Sequence, residues 1–182
     1  MKRILVPTDF SKHAEYALKV AAQIAKKNDG EIFLLHMLEL PTAGNDALSR
    51  AHDIPELMFF KNAAVAKLDD LMNSSYLEGV KISRIIQFEM AFEGIIKNGE
   101  AHNVDLIVMG SHGASGFQEM FIGSNTEKVV RNSEVPVLVI KREEDTFSAS
   151  KFVFASDFSD EIKKPFEKVV EFVNKFGSHL YL

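Results

Sequence analysis

The chain has 182 residues, a net charge of −5 from 21 basic and 26 acidic side chains, and 46% apolar residues. That is room for one full α/β domain with a remainder and a real core, and the acidic balance argues against bulk nucleic-acid binding, which needs a basic face. Zero cysteines exclude disulfides and thiolate chemistry, no two of the six histidines have ligand spacing, no run nears the ~20 apolar residues of a membrane span, and the start Met1 to Val6 runs straight into a strand without a signal-peptide apolar region.

A cytoplasmic protein without structural zinc is therefore expected. Arg3 to Val6 is an apolar run that predicts a buried strand, ended by the turn Pro7-Thr8-Asp9-Phe10-Ser11. Ser11 is placed to cap a helix whose Ala14, Leu18, Ala21 and Ala25 recur every three or four residues, with Asn28-Asp29-Gly30 as its stop. Glu31 to Met37 reads as a second strand. Pro41 to Asp53 has no period and reads as a loop or lid, and Leu57 to Met72 as a second helix. Lys81 to Phe88, Glu93 to His102 and Val104 to Met109 continue as strand, helix and strand. Ser124 to Asn132 is a fourth helix, with Ser124 three residues before Glu127 as a capping-box signature. Val135 to Ile140 is a fifth strand whose Pro136 suits a sheet edge. Alternating strands and helices imply right-handed crossovers, hence a doubly wound α/β domain with a parallel sheet.

The most informative segment joins the fourth strand to the fourth helix. Gly110-Ser-His-Gly113, nine residues, then Gly123-Ser124-Asn125 lines a turn with glycines and delivers it to a helix N-terminus. Unpaired N–H groups and the positive end of the helix dipole then face one small volume, which suits a phosphate; ordinary turn chemistry is the alternative. Neither the Walker pattern nor the dinucleotide fingerprint is present. If strands two and three lie on one side of the first and four and five on the other, Asp9 and Gly110 end neighbouring strands at the switch point, where such sheets bind ligands. Asp9 can then accept a ribose hydroxyl or position a metal on the phosphates, or simply close its own turn. His112 in the loop can touch a phosphate or stay solvated.

The tail repeats the head. Lys151-Phe-Val-Phe-Ala-Ser-Asp157-Phe158-Ser159 matches Arg3 to Ser11 at an offset of 148, with Asp-Phe-Ser identical. Ile162, Phe166, Val169, Val173 and Phe176 mark a helix face, Gly177 a stop, and Leu180-Tyr181-Leu182 a second strand. Pro165 should kink this helix or delay its start. The expected organisation is a complete domain over 1–141, a linker over 142–149, and over 150–182 the incomplete β-α-β opening of a second copy. A unit that small needs outside support, so docking or exchange between two chains is expected.

With these residues in hand, the chain resembles the universal stress protein family, particularly its tandem two-domain members. The resemblance rests on Ile4-Leu5-Val6-Pro7-Thr8-Asp9-Phe10-Ser11, on Asp105 to Gly110, on Glu127 to Val130, and on Val135 to Ile140. The spacing of Gly110, Gly113 and Gly123-Ser124 is that of the family's ATP-binding subgroup. The resemblance implies an adenine nucleotide alpha hydrolase-like sheet of order 3-2-1-4-5, dimer contacts through the fifth strand, and ATP, ADP or AMP in the crevice between the first and fourth strands. By position it gives Asp9 to the ribose, with Pro7 and Thr8 beside it, and His36 and Met37 to the adenine. Gly110, Gly113, Gly123, Ser124 and Asn125 go to the phosphates, and Met109 and His112 stand with them among the expected nucleotide-binding residues. No Lys or Arg lies between Gly110 and Asn125, so backbone N–H groups, the helix terminus and Mg²⁺ at Asp9 must meet the phosphate charge.

The leading expectation is a stress-response protein whose conformation or dimerisation follows nucleotide occupancy. A slow ATPase or autophosphorylating enzyme, and a scaffold without a ligand, are the alternatives. No Walker lysine, arginine finger or second carboxylate stands near the loop, which leaves the catalytic set empty.

Overall fold

The computed structural model describes residues 1–38, 55–113, 122–157, 159 and 162–182. Strands β1 (Arg3–Pro7), β2 (Glu31–Met37), β3 (Lys81–Gln87), β4 (Leu106–Gly110) and β5 (Val137–Ile140) form one parallel sheet in the order β3-β2-β1-β4-β5. They alternate with helices α1 (Lys12–Asn28), α2 (Pro55–Met72), α3 (Ala91–Ala101) and α4 (Ser124–Asn132). This is the doubly wound α/β sheet expected, with the winding reversed between β1 and β4, paired through Ile4↔Leu106 and Leu5↔Ile107. The loop expected over Pro41 to Asp53 lies outside the described residues.

Burial follows from the topology. Every residue of β4 is buried and Ile4, Leu5 and Val6 are fully so, because parallel central strands are covered on both faces. On one face Leu5, Phe33, Leu35, Ile107 and Met109 pack with Ile95 of α3 and Val129 of α4. On the other, α1 lays its Ala-rich stripe across β1 and β4, where Ile4, Val6, Leu106 and Val108 are sealed from water.

Local chemistry sets where the elements begin and end. Ser11 caps α1 as expected, its Oγ accepting the Ala14 N–H at 3.3 Å. The left-handed residue that ends α1 is Asp29 (φ 49°) rather than Gly30. At α4 the expected capping box does not form. Gly123 is the N-cap, its carbonyl accepting the Glu127 N–H at 2.9 Å, while the Glu127 carboxylate takes the Arg131 guanidinium at 3.0 Å. The cause lies upstream: Gly123 N–H is fixed on the Ser111 carbonyl at 2.7 Å, and Thr126 Oγ1 donates to the Gly110 carbonyl at 3.0 Å. These two bonds tie the start of α4 to the end of β4 and place Ser124 inside the helix.

Residues 146–182 form a second compact unit. It holds β6 (Lys151–Val153), α5 (Lys163–Phe176) and β7 (His179–Tyr181), with β6 and β7 parallel. Its register repeats that of β1 and β2 at the offset of 148, Lys151↔His179 standing where Arg3↔Glu31 stood. The hydrogen bonds repeat as well. Gly30 N–H to Ala25 O at 2.9 Å becomes Ser178 N–H to Val173 O at 3.2 Å, and Glu31 N–H to Lys2 O at 2.7 Å becomes His179 N–H to Ser150 O at 3.0 Å. In both turns an aspartate Oδ1 accepts the N–H two residues on at 3.0 Å, Asp9 from Ser11 and Asp157 from Ser159. That bond is the main cause of an Asp157 carboxyl held below its usual range. The depressed value means the turn gains stability above the ordinary carboxylate range and loses it as pH falls through the lowered value. Pro165 delays α5, which starts at Lys163 and carries the proline in its first turn, where no intrahelical N–H is needed. Phenylalanines 147, 152, 172 and 176 cluster within this unit.

One contact in the first unit is a sharp test of this packing. A Cβ on Gly110 would lie 2.6 Å from the backbone carbon of His13 and 2.7 Å from its oxygen, so α1 can cross the end of β4 only over a glycine. Gly110→Ala is expected to cost about 1–3 kcal/mol, read as a lower urea midpoint with unchanged slope.

Candidate functional site

The loops after β1 and β4 meet above the sheet and enclose a cavity of about 410 Å³. Pro7, Thr8 and Asp9 supply one wall, and Met109, Gly110, His112 and Gly113 the next. Gly123, Ser124, Asn125 and Thr126, the N-cap and first turn of α4, close a third side. Their backbone N–H groups include those that no helical carbonyl can reach, so the helix presents donors and its positive end here. Leu35, Met37, Ala91 and Ile95 make an apolar flank, with Ala14 of α1 beneath.

Eleven of the twelve residues expected at the site thus line one cavity, and His36 does not. Alternation along β2 is the reason: if Met37 and Leu35 face the cavity, His36 must point to the other side of the sheet. There its Nδ1–H donates to the Thr8 carbonyl at 2.8 Å and its ring packs on Phe10 at 4.4 Å between centroids. His36 therefore supports the Asp9 turn instead of lining the cavity. The residues missed by the sequence reading are Ala14, Leu35, Ala91, Ile95 and Thr126. Leu35 was available from the two-residue period of β2, and Ala91 with Ile95 from their i, i+4 spacing.

The Asp9 turn is held tightly. Phe10 sits at φ 64°, a costly conformation for an aromatic residue, and its N–H bonds Thr8 Oγ1 at 3.1 Å. The Lys67 ammonium lies 5.1 Å from the centre of the Phe10 ring. Asp9 Oδ1 accepts the Ser11 N–H, which fixes the carboxylate plane.

Electrostatically the cavity is nearly bare of charge. Among the described lining residues there is no Lys or Arg, and Asp9 is the one carboxylate. His112 adds a polar group. Its Nδ1 pairs with Ser111 Oγ at 2.9 Å, its ring lies 5.2 Å from that of His13, and its Nε2 is buried without a hydrogen-bond partner. A buried, unsatisfied nitrogen at a cavity wall is costly unless something else meets it.

These elements define a doubly wound α/β domain with a glycine-lined cavity at its switch point. The sequence profile of the universal stress protein family matches residues 1–141. Universal stress protein MJ0577 of Methanocaldococcus jannaschii is 33% identical over 154 residues, covering 78% of this chain and 95% of its own length. The solved MJ0577 structure superposes with a TM-score of 0.65 at 36% identity, over 79% of this chain and 98% of that one. The chain belongs to the universal stress protein family. Two more distant structures share the fold. One is a universal stress protein in complex with cAMP (TM-score 0.57, 19% identity, 76% of this chain and 96% of that one). The other is the Archaeoglobus fulgidus protein in complex with dAMP (TM-score 0.56, 17% identity, 77% and 98%).

Replacing His36 by leucine keeps bulk against Phe10 but leaves the Thr8 carbonyl without its donor. His36→Leu is expected to cost about 1–3 kcal/mol, measured by chemical denaturation.

Proposed function

We propose that the cavity binds an adenine nucleotide, ATP or its di- or monophosphate, with Mg²⁺ on the phosphates. Occupancy then shifts the conformation or pairing of a cytoplasmic stress-response protein. The observation that carries this reading is the meeting of Gly110, Gly113 and Gly123 with the first turn of α4, opposite an apolar flank of Leu35, Met37, Ala91 and Ile95. One end offers backbone donors to phosphate oxygens and the other apolar side chains to a base. His112 is a further polar residue among those lining the cavity. The complexes of fold relatives with cAMP and dAMP lend support, since both ligands carry adenine and phosphate.

The donor set fits Mg²⁺ held chiefly by phosphate oxygens and water. Among the described residues no cluster of three His, Asp or Glu could hold a metal unaided, and Asp9 offers one carboxylate. The ion would offset charge that the protein meets with no cationic side chain. Strand β5 is the last strand of the sheet, and its outer edge is where a second copy would add. Residues 146–182 belong to this reading as a repeat of the first β-α-β unit of the domain, supported by the shared register and turn bonds.

Mass spectrometry of the small molecules released from denatured protein, joined to thermal shifts, tests the proposal. Saturation at about 100 times Kd should add ~2.7 kcal/mol, a rise of several degrees. Chelating Mg²⁺ should weaken ATP far more than AMP, because the uncompensated triphosphate faces Asp9. A chain that purifies empty and shows no shift with ATP, ADP or AMP, with or without Mg²⁺, would favour the scaffold reading.

A further inference from the structure

Gly113 is not required to be glycine by its backbone conformation. Its φ lies outside the left-handed region, so its backbone would accept an alanine without strain. What an added Cβ would meet is Asp9: Oδ2 at 2.7 Å and Cγ at 3.8 Å, with no other described atom within 4 Å. Real Cβ atoms do not approach an oxygen that closely, so the carboxylate would have to turn. It is not free to turn, because Oδ1 holds the Ser11 N–H at 3.0 Å and the next residue, Phe10, is locked at φ 64°. By contrast, a Cβ at Gly123 would make only ordinary contacts, none closer than 3.4 Å.

We propose that Gly113 is a positioning residue for Asp9. Its missing side chain is the seat of the Asp9 carboxylate, and Gly113 acts on whatever the cavity holds through Asp9, rather than by admitting a phosphate to its own backbone. The loop after β4 thereby aims a group carried by the loop after β1. The glycine is needed only as long as Asp9 is there. That dependence on residue 9 separates this role from a general need for a small residue in the loop. The contact stands on the geometry alone, while its effect on a ligand rests on the nucleotide reading.

A double-mutant cycle on the full chain tests it, with Gly113→Ala, Asp9→Ala and the pair. The readouts are the melting temperature without nucleotide, and the affinities for Mg-ATP and AMP by calorimetry. Alone, Gly113→Ala should lower the melting temperature by about 2–4 °C, weaken both nucleotides several-fold, and move the ¹³C carboxyl resonance of Asp9. In the Asp9→Ala background the same substitution should do nothing further in either readout. A second loss in that background, or no effect of Gly113→Ala on the wild-type chain, would overturn the assignment. If Gly113→Ala alone fails to fold, the pair decides: a folded double variant supports the seat, and an unfolded one refutes it. Should the wild-type chain bind neither nucleotide, the nucleotide reading falls and the stability cycle still decides the contact.

Discussion

The close crossing of α1 over the end of β4 is the constraint on which the site depends. Gly110 lets the His13 backbone approach to a distance that any side chain would forbid. With α1 seated there, the turn that starts α1 stands beside the loop that leaves β4. The Gly123 N–H on Ser111 and the Thr126 hydroxyl on Gly110 then bring the start of α4 to the same place. Three backbone segments, one of them about a hundred residues from the other two, are clamped around one volume by contacts that involve almost no charged side chains. The arrangement is held by packing and backbone hydrogen bonding, which protein interiors make specific because they are close-packed.

Much of this was legible from one-dimensional patterns. The period of α1, the limits of β2 and α4, and the parallel sheet all followed from apolar spacing and turn residues, because parallel strands covered on both faces read as short unbroken apolar runs. Adjacent-residue logic failed where geometry alternates. His36 and Met37 are neighbours in sequence and cannot share a face of the same strand, so only Met37 lines the cavity, as the pleat requires. Ser124 failed for another reason. A capping box is a local pattern, and here two long-range bonds to Ser111 and Gly110 decide where the helix starts. Glycine spacing was visible, but its meaning differs by position: Gly110 makes room for a helix and Gly113 for a carboxylate, which only three-dimensional neighbours reveal.

The second unit shows the same sequence logic without the same cover. Leu5 is fully buried, whereas Val153, its counterpart by register, is 79% exposed. The difference is not in the strand, which pairs with its neighbour in the same way. It lies in the elements that pack over Leu5, α3 and α4, which in the first unit supply Ile95 and Val129. Secondary structure and register are thus encoded locally, while burial is a property of the neighbours.

The absence of lysine and arginine from the described lining of the cavity has a consequence for the denatured state. A cationic side chain attracts anions whether or not the chain is folded, so part of its affinity is spent on both states. Here the donors are backbone groups and a helix terminus that exist only once α1, β4 and α4 are assembled. An anion held there would find nothing comparable on the unfolded chain, so its whole binding free energy would count toward holding the native structure together.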